Sequence, residues 1–381
     1  MSDEAGNTLE KLDEFSWARL RVIGARLTPT LARICGDGDY LSASRLLGPL
    51  ILPVALLAGF FLGYTHFAYD PADRPLYLYS FPTMLILVAL SQHGAAVGFA
   101  AWSGFAVGEL LYGFFGKYHS EKLLGVLGGW GLLIAVLWIL VVGAPLATRQ
   151  LGRAIQGKLK PKWRTLQTAV VLGAVFSFFF VFMWSHTASS MLQQVYVWRG
   201  ATPMTHGLVQ AQRGGALLLA SVAAYLGAAR VMFETAADSS EAFRARQAAR
   251  QQAAAVAAAP ETPTRMLVAA LLKAAYIEFL LASYISGWLM VLLVFAILGA
   301  TLAARALVLP RLGLGQSIGR IPLIYRLPAT AVAIYAVSHM TVGKYFGASG
   351  FMPLLWATVA SIVIGSILLP PAKAAPAGRT A

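Results

Sequence analysis

The sequence predicts an all-α protein, a polytopic integral membrane helix bundle with about ten transmembrane helices and both ends in the cytoplasm. Three observations predict it. Of 381 residues, 58% are apolar and only 12% charged, and the mean hydropathy is +0.67, whereas a soluble domain is nearer a quarter charged. Eight apolar runs have the length of one or two bilayer crossings. Lysine and arginine collect between those runs on one side of the implied membrane.

The runs occupy roughly 46–67, 77–116, 123–146, 166–187, 208–233, 265–309, 327–346 and 351–370. Six match a single span. The run 77–116 would reach about 60 Å as one helix and 265–309 about 68 Å, against a hydrocarbon core of about 30 Å. Each is therefore expected to fold back on itself, near Gly94–Gly98 and near Ser286–Gly287, where the residues are small.

Charge tests that division. With ten spans, six basic residues precede the first span, six lie in 147–165, four in 234–265, four in 304–326 and two in the tail, against six outside. Reading each long run as one span would put 1–45 and 147–165 on opposite faces, against the positive-inside rule. The formal charge of +14 is thus explained by orientation and contact with anionic lipid headgroups. It does not point to nucleic acid, and the localisation expected is a bacterial inner membrane.

Residues 1–45 form a cytoplasmic amphipathic segment. Leu9, Leu12, Leu20, Ile23, Leu27, Leu31 and Ile34 recur at three- and four-residue spacing with arginines between them, the pattern of a helix lying on a membrane surface. The transmembrane domain covers 46–370. Its Ala/Gln-rich stretch 234–264 reads as a helical extension running into a cytoplasmic linker, and the Pro/Ala-rich tail 371–381 reads as disordered. No early apolar h-region marks a cleavable signal peptide, so the first span is expected to be its own insertion signal.

Grouped as spans 1–5 and 6–10, the halves begin on opposite sides, and each has its second and third spans fused in one run. An inverted repeat would leave this trace. The first span of each half also carries helix-breaking residues, Pro49 and Pro53 in one and Gly214 and Gly215 in the other. Transporters break such helices to expose backbone to substrate or ion; the alternative is that Pro and Gly are simply tolerated in membrane helices.

Two carboxylates fall inside spans, Glu109 and Glu278, the latter beside Tyr276. An intramembrane carboxylate is costly and usually has a role, here binding of a proton or cation; the alternative is a buried structural carboxyl. The other fourteen acidic residues fall in water-facing segments. Arg213, Arg230 and Lys273 are expected to snorkel toward the nearer interface. His66, His186, His206 and His339 fall on the outer side with Met183 and Met204 nearby, a set able to ligate copper or, through imidazole pairs, haem. No two histidines share a helix at i, i+4, so no cofactor is predicted from them.

Cys35 is the single cysteine, which excludes an intrachain disulfide and a cysteine-rich zinc site. The chain has no GxSxG, phosphate-loop or HExxH motif, and an enzyme is not predicted. Three functions remain. The first is a secondary transporter or ion-coupled permease. The second is a non-catalytic anchor or assembly subunit with a protein partner at its cytoplasmic face. The third is a redox or metal-handling membrane protein using the outer His/Met set.

Overall fold

The computed structural model describes residues 14–44, 47–66, 76–112, 123–192, 195, 206–258, 262–282, 284–285, 287–312, 321, 323–337 and 352–368. Among these the chain is all-helical. Five helical stretches are long and apolar enough to cross a membrane, Gly48–Thr65, Leu127–Gln156, Leu166–Ala188, Gly215–Asp238 and Trp288–Val308, and three shorter apolar helices accompany them. The protein is membrane-embedded by this composition. The chain divides into two compact units, Met1–Ala259 and Pro260–Ala381.

The first unit begins with a π-helical turn, Glu14–Arg19, followed by α1 (Leu20–Leu27) and α2 (Pro29–Cys35). The single amphipathic helix expected over 9–34 is therefore two. Thr28 is extended, its side chain accepts a hydrogen bond from the Leu31 amide, and Pro29 occupies the first helical position. Both features start a new helix rather than continue the old one. A β-carbon on Gly24 would lie 3.0 Å from the Leu31 backbone, so the two helices fold closely together. Trp17 is buried and donates its indole N–H to the Gly48 carbonyl at 2.9 Å, fastening the segment to the next helix.

That helix, α3 (Leu47–His66), runs unbroken through Pro49 and Pro53. Pro49 lies in the first turn, where no intrahelical N–H is needed, and Pro53 removes one bond that the rest of the helix tolerates. The long run 77–116 is two helices, α4 (Leu76–Gln92) and α5 (Ala95–Tyr112). They reverse at His93 and Gly94, and Gly94 holds φ +145°, a conformation glycine adopts most readily.

α3 and α5 then run parallel, with α4 returning between them in sequence. Gly59 and Gly63 face Ala101 and Phe105, while Gly104 and Gly108 face Leu56 and Phe60. A β-carbon on any of these four glycines would fall less than 3.0 Å from the opposing backbone. The spacing is the small-xxx-small pattern of close membrane helix pairs, with α-hydrogens turned toward opposing carbonyls.

Next come α6 (Leu123–Trp138), a π turn at Ile139–Gly143 and α7 (Ala144–Gln156). The π turn precedes Pro145, which has no N–H for the Val141 carbonyl. Gly98 of α5 packs against that carbonyl. α5 and α6 are antiparallel: Trp102 donates to Ile134 O at 2.8 Å and Trp130 to Ala106 O at 2.9 Å. α8 (Leu166–Met191) follows, its Trp184 bonded to Val136 O at 2.9 Å. α9 (His206–Asp238) is continuous through Gly214 and Gly215. The sequence expectation of a broken helix there fails: glycine is tolerated within membrane helices, and a β-carbon on Gly215 would meet the Phe81 ring at an ordinary contact distance of 3.6 Å.

α10 (Glu241–Ala257) starts from Ser240, whose hydroxyl caps the Phe243 amide. Within the stretch expected to be a helical extension running into a linker, Phe243 and Ala254 are buried, and α10 packs on α1. In the alternating bundle of this unit, residues 36–44, 93–94, 144–165 and 227–258 share one end, here called the basic end.

In the second unit, α11 (Pro263–Leu280) and α12 (Trp288–Ala303) divide the long run 265–309 at Gly287, φ +83°. They pack on each other, Leu271 reaching Gly299. A π turn at Ala304–Val308 precedes Pro310, and α13 (Leu323–Val337) and α14 (Met352–Leu368) pack together. The sixth apolar segment, α9, packs on α8 and α4 inside the first unit, so the structural division does not coincide with the five-plus-five grouping.

Candidate functional site

The loop after α2, Gly36-Asp37-Gly38-Asp39, carries two carboxylates into the basic end. Gly38 has φ +105°, and a β-carbon on Gly94 would come 2.6 Å from Gly38 Cα and the Asp37 carbonyl oxygen. The two turns therefore meet backbone to backbone. This contact places Asp37 over the start of α5. Asp37 Oδ2 accepts from the Ala95 amide at 2.6 Å and its carbonyl accepts from the Ala96 amide at 3.1 Å. An aspartate far upstream thus satisfies amide groups that a helix N-terminus leaves unpaired and sits at the positive end of the helix dipole.

Asp37 Oδ1 accepts from two guanidinium groups, Arg149 Nη1 of α7 and Arg230 Nη2 of α9, the latter at 2.8 Å. Arg230 Nε also donates to Glu234 Oε1 at 2.9 Å. Arg149 Nε stands 3.5 Å from the same oxygen, and Arg153 Nη2 lies 3.7 Å from Glu234 Oε2. Asp37 is 1% exposed and Arg230 6%. Burial alone would raise the Asp37 carboxyl, but Arg230, Arg149 and the Ala95 amide outweigh it and hold it below the usual carboxylate range.

Asp39 makes a second node. Arg250 of α10 donates to Asp39 Oδ1 at 2.6 Å and to Ser42 Oγ at 3.0 Å, and Arg21 of α1 lies 3.3 Å from Oδ2. Five helices, α1, α5, α7, α9 and α10, are thereby fastened to one four-residue loop. His93 in the adjoining turn is pushed below the usual imidazole range by burial and, secondarily, by Arg230.

Beside the Asp37 node a cleft of about 310 Å3 opens between α7, α8 and α9. Its walls include Thr148, Arg149, Arg153, Arg230 and Glu234, with Arg164 and Asp238 also in the lining. Gln92 and Ser177 line it too, joined by a buried hydrogen bond of 2.9 Å. Gly173 and Gly227 bring α8 and α9 close together: a β-carbon on Gly173 would lie 3.0 Å from the Gly227 carbonyl oxygen.

The residues singled out from sequence lie elsewhere. Glu109 is 1% exposed, and its amide nitrogen packs against Gly63 in the α3–α5 contact. It is fourteen residues along α5 from Ala95, about 21 Å at helical rise, and does not line the cleft. Glu278 and Tyr276 belong to α11 in the second unit, two residues apart and so on different faces. One Glu278 carboxylate oxygen is buried with no hydrogen-bond partner among the described residues. Pro49 and Pro53 lie in α3, and Gly214 and Gly215 in α9.

His66 ends α3 and His206 begins α9. His186 and Met183 are exposed on α8; the His186 ring packs on Phe182, with Nδ1 3.0 Å from the Phe182 carbonyl oxygen. His339 and Met204 lie outside the described residues. Among the described residues no group of three or more His, Cys, Asp or Glu converges to hold a metal ion.

Two sequence expectations are corrected here. Asp37 and Asp39 do not face water, and Arg230 does not snorkel. Each is buried because an oppositely charged partner compensates its desolvation. The signal in the sequence was the alternation of glycine and aspartate at 36–39, small residues that let two acidic side chains enter a crowded backbone junction. Comparison with protein-family models, curated proteins and solved structures gives no significant match.

Proposed function

We propose that the chain is a ten-span protein of a bacterial inner membrane, with the basic end cytoplasmic, and that it works as a secondary transporter or ion-coupled permease. The observation that carries this reading is the polar cleft between α7, α8 and α9, which contains the buried Gln92–Ser177 pair and a set of arginines. A structural anchor has no need of such a cleft among apolar helices, whereas a permease needs a polar recess open to one side. Alternation of helix direction in the first unit, with basic residues at one end, supports the orientation. Glu109, buried where α3 and α5 touch, is the coupling carboxylate that this unit offers, and Glu278 the one that the second unit offers.

Reconstitution into proteoliposomes tests the reading. Uptake of at least one solute from a labelled panel is expected, with Glu109→Gln or Glu278→Gln removing its dependence on the ion gradient. Absence of uptake for every solute, together with a stoichiometric partner retained in gentle detergent, would replace it with the anchor-subunit reading.

A further inference from the structure

The geometry points to the cleft between α7, α8 and α9 as a binding site for a phosphate group, held by Arg149, Arg153 and Arg230 with the hydroxyl of Thr148. It rests on the membrane orientation proposed above but not on transport.

The first ground is charge. Four guanidinium groups, those of Arg149, Arg153, Arg164 and Arg230, stand against three carboxylates, Asp37, Glu234 and Asp238, in and beside the cleft, so the cluster carries an excess of one positive charge. Arg149 Nε is buried with no hydrogen-bond partner among the described residues, and Glu234 Oε1 stands 3.5 Å from it. Guanidinium groups present several N–H donors in a planar fork that matches phosphate oxygens.

The second ground is Thr148. Threonines within helices commonly satisfy their hydroxyl on the carbonyl four residues back. Thr65, Thr187, Thr235, Thr301 and Thr330 all do so, on Phe61, Met183, Val231, Ile297 and Arg326. Thr148 does not. It is 8% exposed, lines the cleft, and its Oγ1 has no partner among the described residues. A buried hydroxyl left unpaired is unfavourable, and in the cleft that Arg149 also lines it supplies a further donor for an oxyanion. Gly152, one turn further along α7, also lines the cleft, and a β-carbon there would meet nothing within 4 Å. The space beside the donors is therefore open.

The phosphate could belong to a soluble ester or to an anionic phospholipid headgroup at the membrane surface, and the experiment separates the two. Delipidated protein in detergent is titrated with inorganic phosphate and with glycerol phosphate, using the thermal-unfolding midpoint as readout. In parallel, protein in nanodiscs of phosphatidylcholine is compared with nanodiscs containing phosphatidylglycerol.

Saturable stabilisation is expected in at least one arm. Thr148→Val, which keeps shape and removes the hydroxyl, and Arg153→Gln, whose side chain is 59% exposed, should each weaken it by about tenfold, the worth of a hydrogen bond to a charged group. Both should leave the ligand-free midpoint near that of the parent. A response to soluble phosphate assigns a soluble ligand, and a response confined to phosphatidylglycerol assigns the headgroup. No saturable response in either arm, or one unchanged by both substitutions, would overturn the site. Retained binding with no uptake of any solute would remove the permease reading and leave the site standing.

Discussion

The Asp37 carboxylate accepts a hydrogen bond from the Ala95 amide at 2.6 Å, so a residue ahead of α3 holds the start of α5. The same carboxylate gathers Arg149 and Arg230. One side chain thus links α5, α7 and α9 at the basic end.

Asp37→Ala should be strongly destabilising. It leaves Arg230 buried without its main partner and removes the acceptor for the Ala95 amide, a loss of about 3–5 kcal/mol for a broken buried pair. Asp37→Asn keeps an acceptor and the shape, and should lose less. Thermal unfolding in detergent, followed by intrinsic fluorescence, orders the three proteins; equal midpoints for Asp37→Ala and the parent would remove this role.

Acid should weaken the basic end in two stages. Burial lowers the folded-state value of His93, so its stabilising effect is present above its unfolded value of about 6.5 and fades as pH falls below that. Asp37 is also lowered in the folded state, so its contribution persists until pH drops below about 4 and is lost as the carboxyl takes up a proton. His93→Gln should abolish the upper stage alone. The check is the midpoint of unfolding measured between neutral pH and pH 3.

Glycine replacements separate packing from propensity. Gly59→Ala and Gly104→Ala force a methyl into opposing backbone at the α3–α5 contact and should cost about 1–3 kcal/mol by overpacking. Gly365→Ala, in α14, meets nothing within 4 Å and should change stability little. Midpoints from a fluorescence-detected heating series settle the contrast.

Arg250 ties α10 to the loop through Asp39 and Ser42. Arg250→Ala should free that helix, raising trypsin cleavage after Arg244 and Arg246 by about tenfold as the open population grows. The membrane helices should stay intact under the same digestion.

Much of this architecture could be read from the residues. The reversals at Gly94 and Gly287 followed from length, because a helix of 40 residues overreaches a bilayer and glycine supplies the positive φ of the turn. Gly104 and Gly108 stand at the four-residue spacing that suits a close helix pair, but nothing in the sequence says that α3 is the helix they meet. The charged junction was illegible for a physical reason. Asp37 is 58 residues from Ala95, 112 from Arg149 and 193 from Arg230, and each residue taken alone has the character of an orienting surface charge. Only the fold brings them together. Thr148 was equally silent, since an unpaired hydroxyl is a property of surroundings rather than of sequence.

Cysteine accessibility tests the fold-back of the two long apolar runs and the resulting topology. In a Cys35→Ser background, single cysteines replace His119 and Lys158 in turn, and intact cells are treated with a membrane-impermeant maleimide. Labelling of the His119→Cys protein from outside, with Lys158→Cys labelled only after lysis, is the predicted result. Labelling of both from the same side would contradict it, because α6 and α7 could not then lie across the bilayer between them.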